Sequence, residues 1–327
     1  MIFIQTSIFS AVQRNNSQTV LYMKKALLII CAVVIVLFAA IAGVHHFSPT
    51  QSDEPYSETQ TSAVPETTEA VLDFEDFEPV NNDNLLNILL VGQDRREGED
   101  RQRSDAMILC SFNPTTNELS MISFLRDLYV RIPGYEDNRL NAAYAYGGFE
   151  LLKETLELNF GITVDGCLES DFEGFEKIID TVGGVEIELT AEEAEIVGDG
   201  ASQGICNLNG KQALTYARIR KIDSDFQRTG RQRNILNAVF EKAKSYQLME
   251  LAGLFSEILP MMSTDMTDDE IMTFALTLAS SLSDIKTQSC SIPAEGTYKN
   301  ATVRGMAVLV PDLEKIRELI FEEYLPM

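Results

Sequence analysis

The sequence predicts an α/β fold, with one domain built on a mixed β-sheet that has helices on both faces and follows a single N-terminal transmembrane helix. Three observations predict this arrangement. Short apolar runs alternate with stretches of helical periodicity through residues 84–327. An uncharged apolar run, residues 26–44, has the length of a membrane span. Between the two lies a polar, acidic segment, residues 45–83, which is typical of a linker.

The apolar run at residues 26–44 would cross a bilayer as a helix. At 1.5 Å per residue it would extend about 28 Å, close to the thickness of the hydrocarbon layer. Arg14, Lys24 and Lys25 precede it, and the next basic residue is Arg95. The positive-inside rule therefore predicts a single-pass cell-membrane protein with its N-terminus in the cytoplasm and the domain outside the cell.

Two features of the N-terminus remain open. Ala40-Ile41-Ala42 fits a signal-peptidase site, although the apolar run exceeds the roughly 7–15 residues usual for a signal core, which favours an uncleaved anchor. Met23, followed by Lys24 and Lys25, resembles a translation start, so residues 1–25 are either a cytoplasmic tail or an over-extended start.

The linker and the overall charge restrict the partners. Residues 45–83 are rich in Ser, Thr, Pro and acidic residues and contain no Lys or Arg, which predicts a disordered, solvated tether. The chain carries a net charge of −24. Because nucleic-acid affinity depends on Lys and Arg contacts to phosphates, this balance argues against a nucleic-acid partner.

The domain is predicted to contain both hairpins and amphipathic helices. Its first strand is "LLNILLVGQD". The next two strands, "AMILCSF" and "ELSMISF", are expected to form a hairpin around the turn "NPTTN". Another short strand is "VEIEL", and "TQSCSI" is expected to be the last strand. The predicted helices are "GGFELLKETLELNFG", "FEGFEKIIDTVGG", "NGKQALTYAR" capped by Asn209, "RTGRQRNILNAVFEKAKSY", "DEIMTFALTLASSL" with a capping box from Thr267 to Glu270, and "PDLEKIRELIFEEYL".

The residue types present exclude several kinds of catalysis. The only histidines, His45 and His46, lie at the end of the predicted span, so the domain has no Ser-His-Asp triad, Cys-His pair or His-ligated zinc site. The external cysteines form no CxxC motif, and the sequence leaves open whether any are paired: Cys110, Cys167, Cys206 and Cys290.

Two polar clusters flank predicted strands. Asp94 follows the first strand and Asp105 precedes the next, so we expect both carboxylates at one edge of the sheet, where ligand sites of α/β folds gather. Arg126 and Asp127 follow "SFL" at the end of a third strand. Taken alone, the aspartates also suit ordinary turns and the Arg-Asp pair a structural ion pair.

A third cluster is the basic stretch "RIRKIDSDFQRTGRQR". Arg218 and Arg220 alternate, which in an extended segment places both on one side. Arg228, Arg231 and Gln232 lie near a predicted helix start, where anions are favoured. The alternative is a solvated basic face, but the rest of the domain is acidic.

The three clusters together suit phosphoryl transfer. Carboxylate oxygens suit Mg²⁺, with Mn²⁺ and Ca²⁺ as the alternatives, and arginine forks bind phosphate oxygens. A divalent ion and surrounding cations are what a reacting phosphate group requires.

The motifs resemble the LytR-CpsA-Psr family, whose members are membrane-anchored phosphotransferases of bacterial cell-wall assembly. The resemblance covers residues 87–243 and is carried by "NILLVGQDRR", "RSDAMILCSFN", "SFLRDLYVRIPG", "LNAAYAYGGFELLKETLELNFGI", "DFEGFEKIIDTVGGVEIEL", "LNGKQALTYARIR" and "DFQRTGRQR". It implies transfer of a glycopolymer phosphate, such as teichoic acid or capsular polysaccharide, from a polyprenyl-pyrophosphate carrier to peptidoglycan.

The resemblance also implies roles for individual residues. Asp94 and Asp105 match the Mg²⁺-associated aspartates. The residues that match pyrophosphate-binding positions are Arg103, Arg126, Arg218, Arg220, Arg228 and Gln232. The resemblance also implies catalytic roles for Arg126, Asp127, Asp225 and Arg231. It leaves open which carboxylate is the general base.

Departures from the family pattern leave every charged position intact. They are Gln93, Arg95, Ala106, Leu125 and Leu128, which bear on loop geometry and carrier preference. Two other functions use the same residues: a hydrolase of lipid pyrophosphates, and a non-catalytic module that binds wall polymer or lipid carrier and regulates assembly. The sequence does not specify the polymer or the oligomeric state.

Overall fold

The structure is a computed structural model that describes residues 84–93, 103–219, 225–246, 250, 253–254, 257–281 and 284–325. The predicted tail, span and linker at residues 1–83 lie outside these residues. Among the helices within the described ranges, none is long and apolar enough to cross a membrane.

The prediction of an α/β domain with a mixed sheet is confirmed. The strands are β1 (Leu86–Gln93), β2 (Ser104–Asn113), β3 (Glu118–Phe124), β4 (Tyr129–Val130), β5 (Asn138–Arg139), β6 (Gly166–Ser170), β7 (Val185–Leu189), β8 (Gly204–Leu208), β9 (Ser263–Thr264), β10 (Lys286–Ile292), β11 (Tyr298–Val303) and β12 (Met306–Pro311). Six of them form one sheet in the order β10-β3-β2-β1-β6-β9, and the others pair as β4-β5, β7-β8 and β11-β12.

Helices connect and cover these strands. They are α1 (Leu140–Phe160), α2 (Phe172–Thr181), α3 (Ala191–Val197), α4 (Gly210–Ala217), α5 (Asp225–Ser245), α6 (Asp268–Ser281) and α7 (Leu313–Leu319), and α7 continues into a π-helical turn at Ile320–Tyr324. A short 3-10 turn lies at Leu259–Met261.

The central strands are covered on both faces of the sheet. Strand β1 pairs antiparallel with β2 and parallel with β6. Every side chain of β1 after Leu86 is buried, including Asn87 and Gln93. Because successive side chains of a strand point to opposite faces, this run requires packing on both. Strand β1 is therefore a central strand of the sheet, between β2 and β6.

The predicted turn and cap signals act as expected. In the β2–β3 turn, Asn113 Oδ1 accepts hydrogen bonds from the N–H groups of Thr115 and Thr116 at 2.9 and 3.2 Å. Asn209 and Gln212 form a reciprocal capping box at the start of α4. Thr267 and Glu270 form the same arrangement before α6, as predicted.

The end of the chain contains a hairpin that the sequence prediction omitted. The prediction that "TQSCSI" is the last strand is wrong, because β11 and β12 follow β10. Arg304 and Gly305 link them with φ of 49° and 78°. Positive φ at both central residues is the geometry that two-residue hairpin turns favour, and glycine adopts it without steric cost.

Two helices begin earlier than predicted. Helix α1 starts at Leu140, upstream of the predicted stretch at residues 147–161, and has a non-helical break at Gly148. Helix α5 already includes Asp225, so Arg228 lies one turn inside it.

The prediction of an extended segment at Arg218 is also wrong. Arg218 ends α4 with φ of −105° and ψ of 0°, which is helical backbone. Its N–H donates to the Thr215 carbonyl at 3.2 Å. The argument that alternation places Arg218 and Arg220 on one side therefore fails, and Arg220 itself lies outside the described residues.

Candidate active site

Three chain segments reach one edge of the central sheet. Strand β1 ends at Gln93, which pairs with Ser104 at the start of β2. Asp105 is the second residue of β2, and Arg126 and Asp127 follow the end of the antiparallel neighbour β3. Asp105 and the Arg-Asp pair therefore meet at this edge, whereas the prediction concerned Asp105 and Asp94. Asp94, which would follow β1 here, lies outside the described residues.

Arg126 is the centre of a group of charged side chains, which we call the Arg126 cluster. It comprises Asp105, Arg126, Asp127, Arg139, Asp225 and Arg228. Arg126 Nη1 donates to Asp105 Oδ1 at 2.8 Å. Arg126 Nε lies 3.7 Å from Asp127 Oδ2 and 3.5 Å from Asp225 Oδ2. One guanidinium therefore faces three carboxylates.

The cluster contains two further arginines. Arg228 Nη1 lies 3.0 Å from Asp225 Oδ1, and its Nη2 donates to Oδ2 of the same carboxylate at 3.1 Å. Arg139 Nε lies 3.3 Å from Asp127 Oδ1. Three arginines and three aspartates balance in charge, so each cation is held in place by at least one anion.

Burial and charge act in opposite directions on Arg126. Burial would lower the pKa of its guanidinium, but Asp105 first, and then Asp127 and Asp225, more than offset this, so the pKa is raised. Arg126 therefore stays cationic. Its Nε is buried and has no hydrogen-bond partner among the residues that the structure describes. A buried N–H without an acceptor, in a site rich in arginine, suits an oxygen of a bound anion.

The other described residues predicted for phosphate binding lie next to β2, at the end of α4 and on α5. Arg103 is exposed and immediately precedes β2. Gln232 is buried, one turn after Arg228 on α5. The Arg218 guanidinium lies 5.5 Å from the centre of the Phe172 ring, within the range of a cation–π contact.

Arg231 is predicted to be catalytic but forms a separate ion pair. Its Nε donates to Glu193 Oε1 at 2.8 Å, and its Nη1 donates to the Ile219 carbonyl at 3.1 Å. The Arg231 and Glu193 side chains are only 6% and 10% exposed. Burial would raise the pKa of Glu193, but the Thr190 N–H and Arg231 outweigh it, and the pKa is lowered.

Sequence reasoning missed three polar features near the site. Arg139 carries no local charge signal, because its partner Asp127 lies twelve residues earlier, between β3 and β4. Arg233 Nη1 donates to Ser123 and Ser291 at 3.0 and 2.7 Å. Glu169, buried on β6, accepts hydrogen bonds from Gln93 and Tyr144. Only Glu169 had a usable signal, an acid near the end of an apolar strand.

The described residues supply only part of a metal site. Asp105 offers hard carboxylate oxygens at the sheet edge, the donor type that Mg²⁺ prefers, and so fits the predicted role. Within the described ranges, no group of three or more His, Cys, Asp or Glu side chains is arranged to hold a metal ion. Each of the four cysteines there is a free thiol: Cys110, Cys167, Cys206 and Cys290.

The fold and the site define an α/β domain with an arginine–aspartate centre at one edge of its sheet. The chain belongs to the LytR_cpsA_psr family, whose sequence model matches residues 46–320. The match begins within the predicted linker and continues beyond the motifs at residues 87–243, through β10, β11 and β12.

Named relatives differ in the function that their names state. A protein of Oceanobacillus iheyensis named polyisoprenyl-teichoic acid–peptidoglycan teichoic acid transferase TagU is 38% identical over 213 residues, which cover 62% of this chain and 66% of that protein. The match thus spans just under two thirds of that relative's length. Regulatory protein MsrR of Staphylococcus aureus is 31% identical over 242 residues, 71% of this chain and 72% of that protein.

Solved structures share the fold. The structure titled TagT bound to LIIa-WTA aligns with a TM-score of 0.61 and 26% identity, covering 79% of this chain and 96% of that one. The crystal structure of Bacillus subtilis TagU aligns with a TM-score of 0.54 and 25% identity, covering 75% and 98%.

Proposed function

We propose that this protein transfers a glycopolymer phosphate from a polyprenyl-pyrophosphate carrier to peptidoglycan. The observation that carries the proposal is the Arg126 cluster, in which three arginines meet three aspartates at the sheet edge. The name of the TagU relative, a teichoic acid transferase, supports the same reaction class.

The chemistry is a displacement at phosphorus. A peptidoglycan hydroxyl oxygen attacks the phosphorus that bears the polymer, and the bridging P–O bond of the pyrophosphate breaks. Polyprenyl phosphate leaves, and the product is a phosphodiester. Arg126 and Arg228 stabilise the charge on the phosphate oxygens, and the buried Arg126 Nε supplies an N–H that has no acceptor within the described residues.

The hydroxyl proton requires a carboxylate base near the cations. Asp127 and Asp225 both contact Arg126, and their side chains are 28% and 31% exposed, so either can reach an incoming acceptor. Arg126 and Arg228 orient Asp225 from two sides.

Mg²⁺ is the cofactor that the aspartate carboxylate oxygens favour. Asp105 would hold it together with Asp94, and Mn²⁺ could replace it because both ions prefer oxygen ligands. Bound there, the ion would neutralise pyrophosphate charge.

The location belongs to the proposal too. The apolar residues 26–44 anchor the chain as a single span, with the N-terminus in the cytoplasm and the catalytic domain outside the cell. That side of the membrane is where peptidoglycan is found.

A regulatory role is the second candidate, and the name of the MsrR relative favours it. In that case the Arg126 cluster would bind the lipid carrier or wall polymer without turnover. A hydrolase of the same carrier would release free phosphorylated polymer.

The test uses the full-length chain in detergent with a synthetic polyprenyl-pyrophosphate oligosaccharide and peptidoglycan fragments, with Mg²⁺ or with chelator. We expect a metal-dependent, phosphodiester-linked product, and loss of that product when Arg218 and Arg220 are both replaced by Ala. Full activity of this double variant would overturn the assignment of Arg218 and Arg220 to pyrophosphate binding. Binding without any turnover would favour the regulator, and free phosphorylated polymer the hydrolase.

A further inference from the structure

Two exposed tyrosines stack on each other close to the Arg126 cluster. Tyr135 is 52% exposed and Tyr146 is 40% exposed. Their ring centres are 4.8 Å apart, and the ring planes differ by 22°. Large aromatic side chains are normally buried, and exposed apolar patches often mark binding sites. We call this pair the tyrosine platform.

The backbone presents the platform outside the core. The Tyr135 N–H donates to the Ile132 carbonyl at 3.1 Å, which closes a turn with Pro133 and Gly134 at its centre. Gly134 has a φ of 76°, and proline followed by glycine at positive φ is the signature of a type II turn. Tyr146 lies on α1 just before its break at Gly148. A defined turn and a defined helix segment therefore hold the two rings.

A short strand connects the platform to the Arg126 cluster. Asn138 Nδ2 donates to the Tyr146 hydroxyl at 2.9 Å. The next residue, Arg139, lies 3.3 Å from Asp127. Side chains of consecutive strand residues leave on opposite sides, so the platform lies beside the cluster, not within it. A polymeric ligand is long enough to reach both.

The charges around the platform disfavour a phosphate-bearing ligand. Glu136 and Asp137 follow Tyr135 directly, and the Glu136 side chain is 85% exposed. Arg304 pairs with Glu136 and donates to the Asp137 carbonyl. Arg304 is thus already engaged by the Glu136 carboxylate and a backbone carbonyl, whereas free positive charge would be needed to hold a polyanion. An uncharged ligand with an apolar face fits better.

We infer that the tyrosine platform binds a pyranose ring of the acceptor glycan, the uncharged sugar backbone of peptidoglycan. The C–H face of the sugar packs on a tyrosine ring, and Asn138 and the tyrosine hydroxyls offer hydrogen bonds to its hydroxyl and acetamido groups. The inference rests on the proposed function for the identity of the acceptor. It adds a binding site for that acceptor outside the arginine–aspartate centre.

The test is calorimetric titration of the full-length chain in detergent with an N-acetylglucosamine tetrasaccharide, a neutral probe of the glycan. We expect the Tyr135→Ala/Tyr146→Ala variant to bind the probe about tenfold more weakly than the native chain. The Tyr135→Phe/Tyr146→Phe variant, which keeps both rings, should stay within about threefold. Ile205→Ala, a change at another exposed apolar side chain on β8, should have no effect.

A second titration with the polyprenyl-pyrophosphate donor separates the two substrates. Donor affinity should be unchanged in the alanine variant. The inference is overturned if the native chain does not bind the tetrasaccharide, if the alanine variant binds it as tightly, or if donor affinity falls instead. Neither titration requires turnover. The sugar-binding result can therefore be interpreted even if the protein proves not to be a transferase.

Discussion

Arg228 and Arg231 lie one turn apart on α5, and both are buried, yet they have different surroundings. Arg228 pairs with Asp225, whose side chain is 31% exposed and which also contacts Arg126. Arg231 pairs with Glu193, whose side chain is only 10% exposed. The same basic stretch therefore supplies an arginine to an open site and another to the interior.

The exposure of the carboxylate partner distinguishes an arginine of the open site from one that stabilises the interior. In the Arg126 cluster Asp127 and Asp225 are partly open, so an incoming phosphate can compete for the guanidinium groups. Glu193 also belongs to the capping box of α3 with Thr190, so its ion pair with Arg231 joins α3 to α5. Removing either partner breaks a buried ion pair, which is costly in the interior.

The largest effect is expected at the open site. Replacing Arg126 by Ala removes the cation that three carboxylates surround, and we expect transfer to fall about 10³-fold. The midpoint of thermal unfolding should change little, because Asp127 and Asp225 are partly exposed and keep Arg139 and Arg228 as partners. The measurement is product formation per folded molecule, with Lys177→Ala, a surface cation paired with Glu173, as the control.

Arg126→Lys sharpens the same comparison. Lysine keeps the charge but cannot contact several carboxylates with a planar fork, so it should recover only part of the activity. If Arg126→Ala kept native turnover, the open cluster would have no catalytic role.

The second effect concerns stability. Glu193→Ala removes the Glu193 carboxylate from the buried ion pair with Arg231 and removes half of the α3 capping box. We expect the free energy of unfolding to fall by about 3 kcal/mol, measured by denaturant titration. Turnover of the remaining folded molecules should stay near native.

The matched control replaces both charges. Glu193→Met/Arg231→Met leaves no uncompensated charge, so it should be more stable than Glu193→Ala. Lost turnover in the double variant, with the fold retained, would instead assign Arg231 to catalysis, as the sequence predicts.

The pH dependence of this pair has a definite sign. The pKa of Glu193 is lowered in the folded chain, so its contribution is present above the ordinary glutamate pKa and lost as pH falls through the folded value. The stability difference between the native chain and Glu193→Gln should therefore shrink on acidification. A constant difference across that range would show that the charge of Glu193 does not stabilise the fold.

The sequence predicted local structure better than contacts between distant segments. The β2–β3 hairpin and the caps at Asn209 and Thr267 depend on neighbouring residues, and all are confirmed. Asp105 and Arg126 could be placed at one edge because antiparallel pairing follows from the short turn between their strands.

The contacts of α5 with distant segments could not be predicted. Asp225 meets Arg126, and Arg231 meets Glu193, across long stretches of chain, and no periodicity encodes such contacts. Proximity in sequence even suggested that Arg228 and Arg231 act together. The side chains that pack between helices decide their roles, and that packing is a property of the whole fold.

The smallest effect is expected at Arg139, which positions Asp127 without being placed at the reacting atoms. Its Nε and Nη2 donate to the Ala307 carbonyl of β12 at 3.1 and 2.6 Å, and its Nε lies 3.3 Å from Asp127. Arg139→Met keeps the apolar stem but removes both links, so we expect kcat to fall about tenfold through misplacement of Asp127. The KM for the donor should stay unchanged, and Arg139→Lys should restore part of kcat. A raised donor KM with native kcat would instead place Arg139 among the phosphate-binding arginines, and would extend the open site to the end of β5.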